Sequence, residues 1–164
     1  MLKAMFRLLS ALAFAASANG ALAQSSPLPP VPAPSADRSA IRAYRLTVPT
    51  MERIARAAAA LKSADPSLRA EDTAAAAGNT VAELMSNLTR ASRLRAFFHR
   101  QGLTDHDVVL FPLVIMSAMI ALNDPTLAYI QPVSADQIDF YKRHRLALDA
   151  IFLDDSPPAK PGKR

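Results

Sequence analysis

The pattern of hydrophobic positions is dominated by one stretch, Val108 to Leu122, which reads VVLFPLVIMSAMIAL and contains no charged residue. As a helix, this segment would be apolar on every face, and a helix of that kind is buried on all sides. Thr104 is placed to cap its start, and Asn123-Asp124-Pro125 ends it. The pattern therefore predicts a central core helix over about residues 104–122, with the other elements around it.

A membrane span is the alternative interpretation of this stretch. Fifteen residues rise about 22 Å as a helix, whereas the hydrocarbon core of a bilayer is about 30 Å thick. Asp107 and Asp124 flank the stretch closely, and Pro112 lies inside it, where a kink is expected. We expect a buried core helix and no transmembrane helix in the mature chain.

Further helices are predicted by apolar residues at helical spacing. The first follows Thr47, a capping residue, and Pro49, which suits a first turn. The last begins at Ser134, where Gln137 completes a capping box.

The region between these helices is less regular. Residues 65–79 are small and polar, and we predict mostly loop there. From about Thr80 to residue 101 the pattern fits one helix or two, and we prefer a break near residues 87–91. Gly102 is suited to a left-handed cap after that segment. The fold class predicted is all-α, a single compact bundle of four to five helices.

The two ends of the chain differ from this folded region in composition. Residues 1–23 have a basic start, an apolar run and an Ala21-Leu22-Ala23 motif, which is the layout of a secretory signal peptide. We expect cleavage after Ala23 and a periplasmic or secreted bacterial protein. Residues 24–40 read as a Pro-rich disordered linker, residues 41–153 as the all-α domain, and residues 154–164 as a disordered tail.

Composition excludes several classes of function. The formal net charge is +5, of which Lys3 and Arg7 contribute two units to the signal peptide. So small a surplus does not suggest nucleic-acid binding. The chain has no cysteine and four glycines, and it lacks the common phosphate-loop, zinc and serine-hydrolase motifs. An enzyme is therefore disfavoured, and no cofactor is expected.

Histidines are the candidates for metal or haem binding. His99 and His106 are close in sequence and flank the start of the central helix, but Asp105, His106 and Asp107 cannot all face one ion because consecutive helical residues point in different directions. Haem would need axial ligands on facing buried helices. Met116 and Met119 lie in the buried run, where methionine is an ordinary core residue.

Two further sets of residues are candidates for binding. Tyr129, Gln137, Phe140 and His144 could line a ligand site near the last helix. Seven basic residues on two helices could attract an anionic surface if those helices lie side by side: Arg90, Arg93, Arg95, Arg100, Lys142, Arg143 and Arg145. The alternative for each set is an ordinary packing or solvated role.

The chain resembles a loose group of small uncharacterised bacterial exported helical proteins. The resemblance rests on Leu46 to Leu61, on Gly102-Leu103-Thr104, and on Ser134 to Tyr141 with His144. It implies an all-helical exported domain and no particular activity. We expect a non-enzymatic interaction module for an envelope protein or a small apolar or anionic ligand. The alternatives are a helical bundle that binds a small ligand, metal or haem, and, third, a cell-envelope enzyme.

Overall fold

The computed structural model describes residues 35–124, 126 and 130–152. Over these residues the fold is all-α, as predicted, with seven helices and no strand. The helices are α1 (Ser35–Ala43), α2 (Val48–Lys62), α3 (Pro66–Ala75), α4 (Val81–Arg90), α5 (Ser92–Arg100), α6 (Asp105–Asn123) and α7 (Ala135–Phe152). The described part therefore holds more helices than the four to five expected. The predicted signal peptide (residues 1–23), residues 24–34 of the predicted linker and the predicted tail (residues 154–164) lie outside the described residues.

Helix α6 lies at the centre of the described region, as its sequence predicts. It packs against α7, α4, α1 and α5. Residues 108–115, Ser117 and Ala118 are buried, and the helix runs on through Pro112. It is also the one described helix that is long and apolar enough to cross a membrane, with a mean hydropathy of 1.7. In that window 61% of the residues are buried inside the protein, as in a core helix.

Helix α1 corrects the predicted linker boundary. Residues 35–40 belong to this helix, whereas the sequence placed them in the disordered linker. Asp37 and Ile41 are buried, and α1 packs against α6 and α4. The predicted linker was defined by the many prolines of residues 24–34, and the short amphipathic pattern that follows them, up to Ile41, was included in it.

Helix α3 corrects the loop predicted for residues 65–79. The side chain of Asp65 accepts a hydrogen bond of 3.0 Å from the Leu68 backbone N–H, and Pro66 occupies the first turn. Both residues are favoured at a helix start, although in the sequence they indicated only the end of the helix before. Leu68 and Ala75 then bury the inner face of α3.

The preferred break between α4 and α5 is confirmed, and it lies at Ala91. Ala91 has no side chain that could cap α5. Glu71 of α3 takes that role, because its Oε2 accepts a hydrogen bond of 3.2 Å from the Leu94 N–H. Arg93 donates to Ser67 at 2.8 Å and to Asp65 at 3.2 Å. These contacts hold α5 against the start of α3.

Candidate functional site

The corner between α5 and α6 is built by three adjacent residues. Gly102 has a φ of 74°, which glycine adopts without a steric penalty. Its N–H donates to the His99 carbonyl at 2.9 Å, and the Leu103 N–H donates to the Phe98 carbonyl at 3.2 Å. This is the Schellman arrangement that closes a helix. It places Thr104 at the N-cap of α6, as predicted.

A shallow, open depression of about 440 Å³ lies at this corner, lined by His99 and residues 102–106. Asp105 is its best-connected side chain. Arg95 Nε donates to both oxygens of Asp105, at 3.1 Å and 2.9 Å, and His99 Nε2 lies 2.7 Å from Asp105 Oδ1. Burial alone would raise the pKa of Asp105, but its contacts with Arg95 and His99 outweigh burial and lower it. The carboxylate is thus held ionised between two donors.

A second carboxylate of the same turn, Asp107, faces the opposite way. Its Oδ1 accepts a 2.7 Å hydrogen bond from the Tyr44 hydroxyl, and its Oδ2 accepts one of 2.9 Å from the Thr104 N–H. Burial opposes ionisation, yet the hydrogen bonds from Tyr44 and Thr104 lower the pKa of Asp107. Burial and the contact with Asp107 raise the pKa of Tyr44 well above its ordinary value. This pair ties the chain after α1 to α6.

The metal-site hypothesis placed His99 and His106 together, and both do line the depression. Within residues 35–124, 126 and 130–152, however, no three His, Asp or Glu side chains are grouped so that they could hold a metal ion. Asp105 is already engaged by Arg95. The charged side chains of the corner thus connect α5 to α6 through Asp105, which pairs with both Arg95 and His99.

Gln137, a candidate ligand residue, has a structural environment. It is buried, and its Nε2 donates to the carbonyls of Ile41 at 2.8 Å and Tyr44 at 2.7 Å, with a longer contact of 3.4 Å to that of Arg42. Its Oε1 accepts from the Ser134 N–H at 2.8 Å. The predicted capping box is therefore present, and the amide also holds the C-terminal end of α1 against α7.

The other candidates on α7 lie near a break in that helix. His144 departs from helical dihedrals (φ −113°, ψ 16°), and its ring centroid lies 4.5 Å from that of Phe140. The Tyr141 hydroxyl donates to Asp149 at 3.1 Å. Residues eight apart rise about 12 Å along a straight helix, so the bend helps to close this bond. Tyr129, the fourth candidate, lies outside the described residues.

Six of the seven basic candidates interact with an oxygen of the same domain. The partners are Asn87 for Arg90, Asp65 and Ser67 for Arg93, Asp105 for Arg95, Asp139 for Lys142 and for Arg143, and Asp149 for Arg145. Among the helix pairs with substantial contacts, α5 packs against α3, α4 and α6, and α7 packs against α6 and α2. The seven residues lie on three helices, with Arg90 on α4, three on α5 and three on α7.

A second concave feature was missed in the sequence. It is a groove of about 360 Å³ between α2 and the second half of α7. Its lining, called the α2–α7 groove below, consists of Met51, Glu52, Ala55, Ala58, Ala59, Lys62, Ala147, Ala150 and Ile151. The signal was present as exposed alanines on both helices, but alanine is common on any helix surface and the pattern does not show which helices meet.

The two concave features differ in chemistry. The depression at the α5–α6 corner is lined by two histidines and by Asp105, which is already paired, whereas the α2–α7 groove is lined mainly by small apolar side chains. Comparison of the chain with protein-family models, with curated proteins and with solved structures found no match.

Proposed function

We propose that this protein is a non-enzymatic, exported interaction module that binds a helix of a protein partner in the α2–α7 groove. The observation that carries the proposal is the groove itself, which has small apolar walls from two helices and a charged residue toward each end. Export rests on the signal-peptide pattern of residues 1–23. Binding of an amphipathic helix in an apolar groove is a common mode of protein recognition.

The exposed apolar side chains of the described region support this use of the groove. Its two exposed large hydrophobic residues are Leu146 (88% exposed) and Val48 (39%). Both lie on the helices that form the groove. Leu146 is one helical turn before Ala150, and Val48 is one turn before Glu52. A single exposed leucine needs no explanation, but two such residues beside an apolar groove extend the surface that a partner would cover.

The size of the side chains in the walls also supports a helical partner. Ala55 and Ala59 recur at i, i+4 on α2, and Ala147 and Ala150 recur at i, i+3 on α7, so each pair lies on one face of its helix. The distance between packed helices depends on the side chains at the contact, within about 8–10 Å. Alanine at these positions allows close approach of a third helix without a change in the domain.

Site-specific photo-crosslinking in the cell tests this function. A photoreactive residue at Ala59 should form a crosslink to one defined protein, and the same residue at Ala96, an exposed alanine of α5, should not. The product is identified by mass spectrometry, and its binding is repeated with both proteins purified. Ala150→Arg, on the opposite wall, should abolish both results. Equal crosslinking from the two positions, or binding that survives Ala150→Arg, would refute a role for the groove.

The alternative function is binding of a small ligand or metal at the α5–α6 corner. The observation in its favour is that His99 and His106 line the same depression. Elemental analysis and a visible absorption spectrum of the purified protein test it. Stoichiometric metal that is lost in His99→Ala would establish this function in place of the interaction module, and the spectrum reports haem in the same sample.

A further inference from the structure

The exposed face of α2 has a symmetric order of side chains. Glu52, Ala55, Ala59 and Lys62 follow one another at intervals of three, four and three residues, which places them on one face of the helix. All four line the α2–α7 groove. The order is acidic, small, small, basic, and it is centred between Ala55 and Ala59.

Such an order is complementary to itself when two copies of the helix run antiparallel. With the centres aligned, each Ala55 lies opposite the other copy's Ala59, and each Glu52 lies opposite the other copy's Lys62. Glu52 and Lys62 are separated by about 15 Å along the helix, so the two ion pairs form at opposite ends of a small-residue contact. The arrangement has the two-fold symmetry of an isologous interface.

The two charged residues are available for this pairing. Both are exposed, and neither forms a salt bridge with another residue in the described part of the chain. By contrast, the charged side chains at the α5–α6 corner are paired within the domain. Glu52 and Lys62 are therefore free to pair with a charge of opposite sign on a bound helix, and α2 of a second copy carries such charges at the matching positions.

We propose that the helix bound in the α2–α7 groove is α2 of a second copy of this chain, antiparallel to the first, which makes a symmetric dimer. This inference rests on the proposed function and names its partner. In the dimer, the second copy's α2 lies between α2 and α7 of the first, and the same contact is repeated by symmetry. Leu146, on the α7 side of the groove, is then covered by the other copy.

Charge reversal provides the test. The oligomeric state is measured by sedimentation velocity up to about 0.5 mM, because small interfaces bind weakly. Glu52→Lys and Lys62→Glu should each weaken self-association by about tenfold, since two attractive pairs become repulsive and each exposed pair is weak. The double variant Glu52→Lys/Lys62→Glu should restore the wild-type association. An equimolar mixture of the two single variants should associate more tightly than either variant alone.

The matched control is Arg100→Glu, an exposed charge reversal on α5, a helix that contributes no residue to the described lining of the groove. It should leave association unchanged. A wild-type protein that is monomeric at all concentrations would overturn the inference, and so would dimers that are insensitive to the reversals at Glu52 and Lys62. If the protein dimerises only after removal of residues 153–164, the tail of the chain competes for the groove and is its occupant instead.

These results separate the inference from the function on which it rests. A monomeric protein that still crosslinks from Ala59 to a different protein, with loss of the crosslink in Ala150→Arg, retains the interaction module and loses the dimer. A dimer that responds to the charge reversals supports both. Absence of both self-association and a groove-dependent crosslink rejects both.

Discussion

Replacement of Gln137 should be among the most damaging single changes in the domain. Gln137→Leu keeps the approximate volume of the side chain and removes its amide. The carbonyl of Tyr44 loses the donor that Nε2 supplies at 2.7 Å, and the Ser134 N–H loses its acceptor. The carbonyl of Ile41 loses the 2.8 Å bond from Nε2 and keeps the longer bond of 3.3 Å from the Tyr44 N–H. We expect the end of α1 to separate from α7 more readily.

The magnitude follows from the buried groups that are left unpaired. A neutral hydrogen bond contributes a net of about 1 kcal/mol, and a buried polar group without a partner costs about 1–3 kcal/mol. Gln137 is 3% exposed, and its replacement leaves the Tyr44 carbonyl and the Ser134 N–H unpaired and the Ile41 carbonyl with a weaker bond. Gln137→Leu should therefore lower the free energy of unfolding by about 3 kcal/mol. Gln101→Leu is the control, because the side chain of Gln101 makes no hydrogen bond in the described region.

Gln137→Glu adds a pH dependence with a defined sign. Burial among carbonyl oxygens raises the pKa of the new carboxyl in the folded state. Its neutral form then donates one hydrogen bond, and the stability of this variant is full below the unfolded pKa of about 4.3 and falls as the pH rises. Relative to wild type at each pH, Gln137→Glu should therefore be less stable at pH 7 than near pH 4.

Urea unfolding followed by circular dichroism at 222 nm measures both effects, since the chain has no tryptophan to report by fluorescence. The reasoning is refuted if Gln137→Leu unfolds within about 0.5 kcal/mol of wild type, which is the usual range of a neutral surface change. It is also refuted if the stability difference between Gln137→Glu and wild type is constant from pH 4 to pH 7.

Four further changes test other parts of the fold, each by urea unfolding. The lowered pKa of Asp107 means that its carboxylate stabilises the fold above about pH 4 and that this stabilisation is lost on acidification. Asp107→Asn should therefore lose less of its free energy of unfolding than wild type between pH 4 and lower pH, and an unchanged acid profile would contradict this. Gly102→Ala should cost about 1 kcal/mol because φ is 74°, and a neutral effect would be inconsistent with that conformation. Ile41→Ala should lower the free energy of unfolding by about 2–4 kcal/mol, because α1 contributes Ile41 to the core. An unchanged stability would show that residues 35–40 are part of the linker, as their sequence predicts. Ser117→Asp should cost about 3 kcal/mol or more, since a charge is buried in α6 without a counterion, and an unchanged stability would refute its central burial.

The features that could be predicted from sequence are those determined by neighbouring residues. Thr47, Thr104 and Ser134 each accept a hydrogen bond from a backbone N–H three residues later, so the helix starts could be identified from short motifs. Gly102 could be predicted as the left-handed cap of α5 because glycine after an apolar helical pattern is a local signal of the same kind. The central place of α6 followed from an apolar surface too broad for one neighbour to cover.

The features that were missed depend on residues far apart in the chain. Glu71 caps α5 from another helix, 23 residues away from Leu94. The acceptors of the Gln137 amide lie 93 to 96 residues before it. The α2–α7 groove exists only because α2 meets the second half of α7, and the alanines that line it are equally compatible with a solvated surface. Pairing of helices is not encoded in the local pattern of either one.

The break at His144 has a consequence for the width of the groove. Ala147 and Ala150 lie after the break, so the direction of their segment relative to α2 is determined by the backbone dihedrals at His144 and by the bond between Tyr141 and Asp149 across it. His144, Tyr141 and Asp149 therefore affect the shape of the α2–α7 groove, although none of them lines it. Sequence variation at these residues would change the width of the α2–α7 groove, with every residue of its lining unchanged.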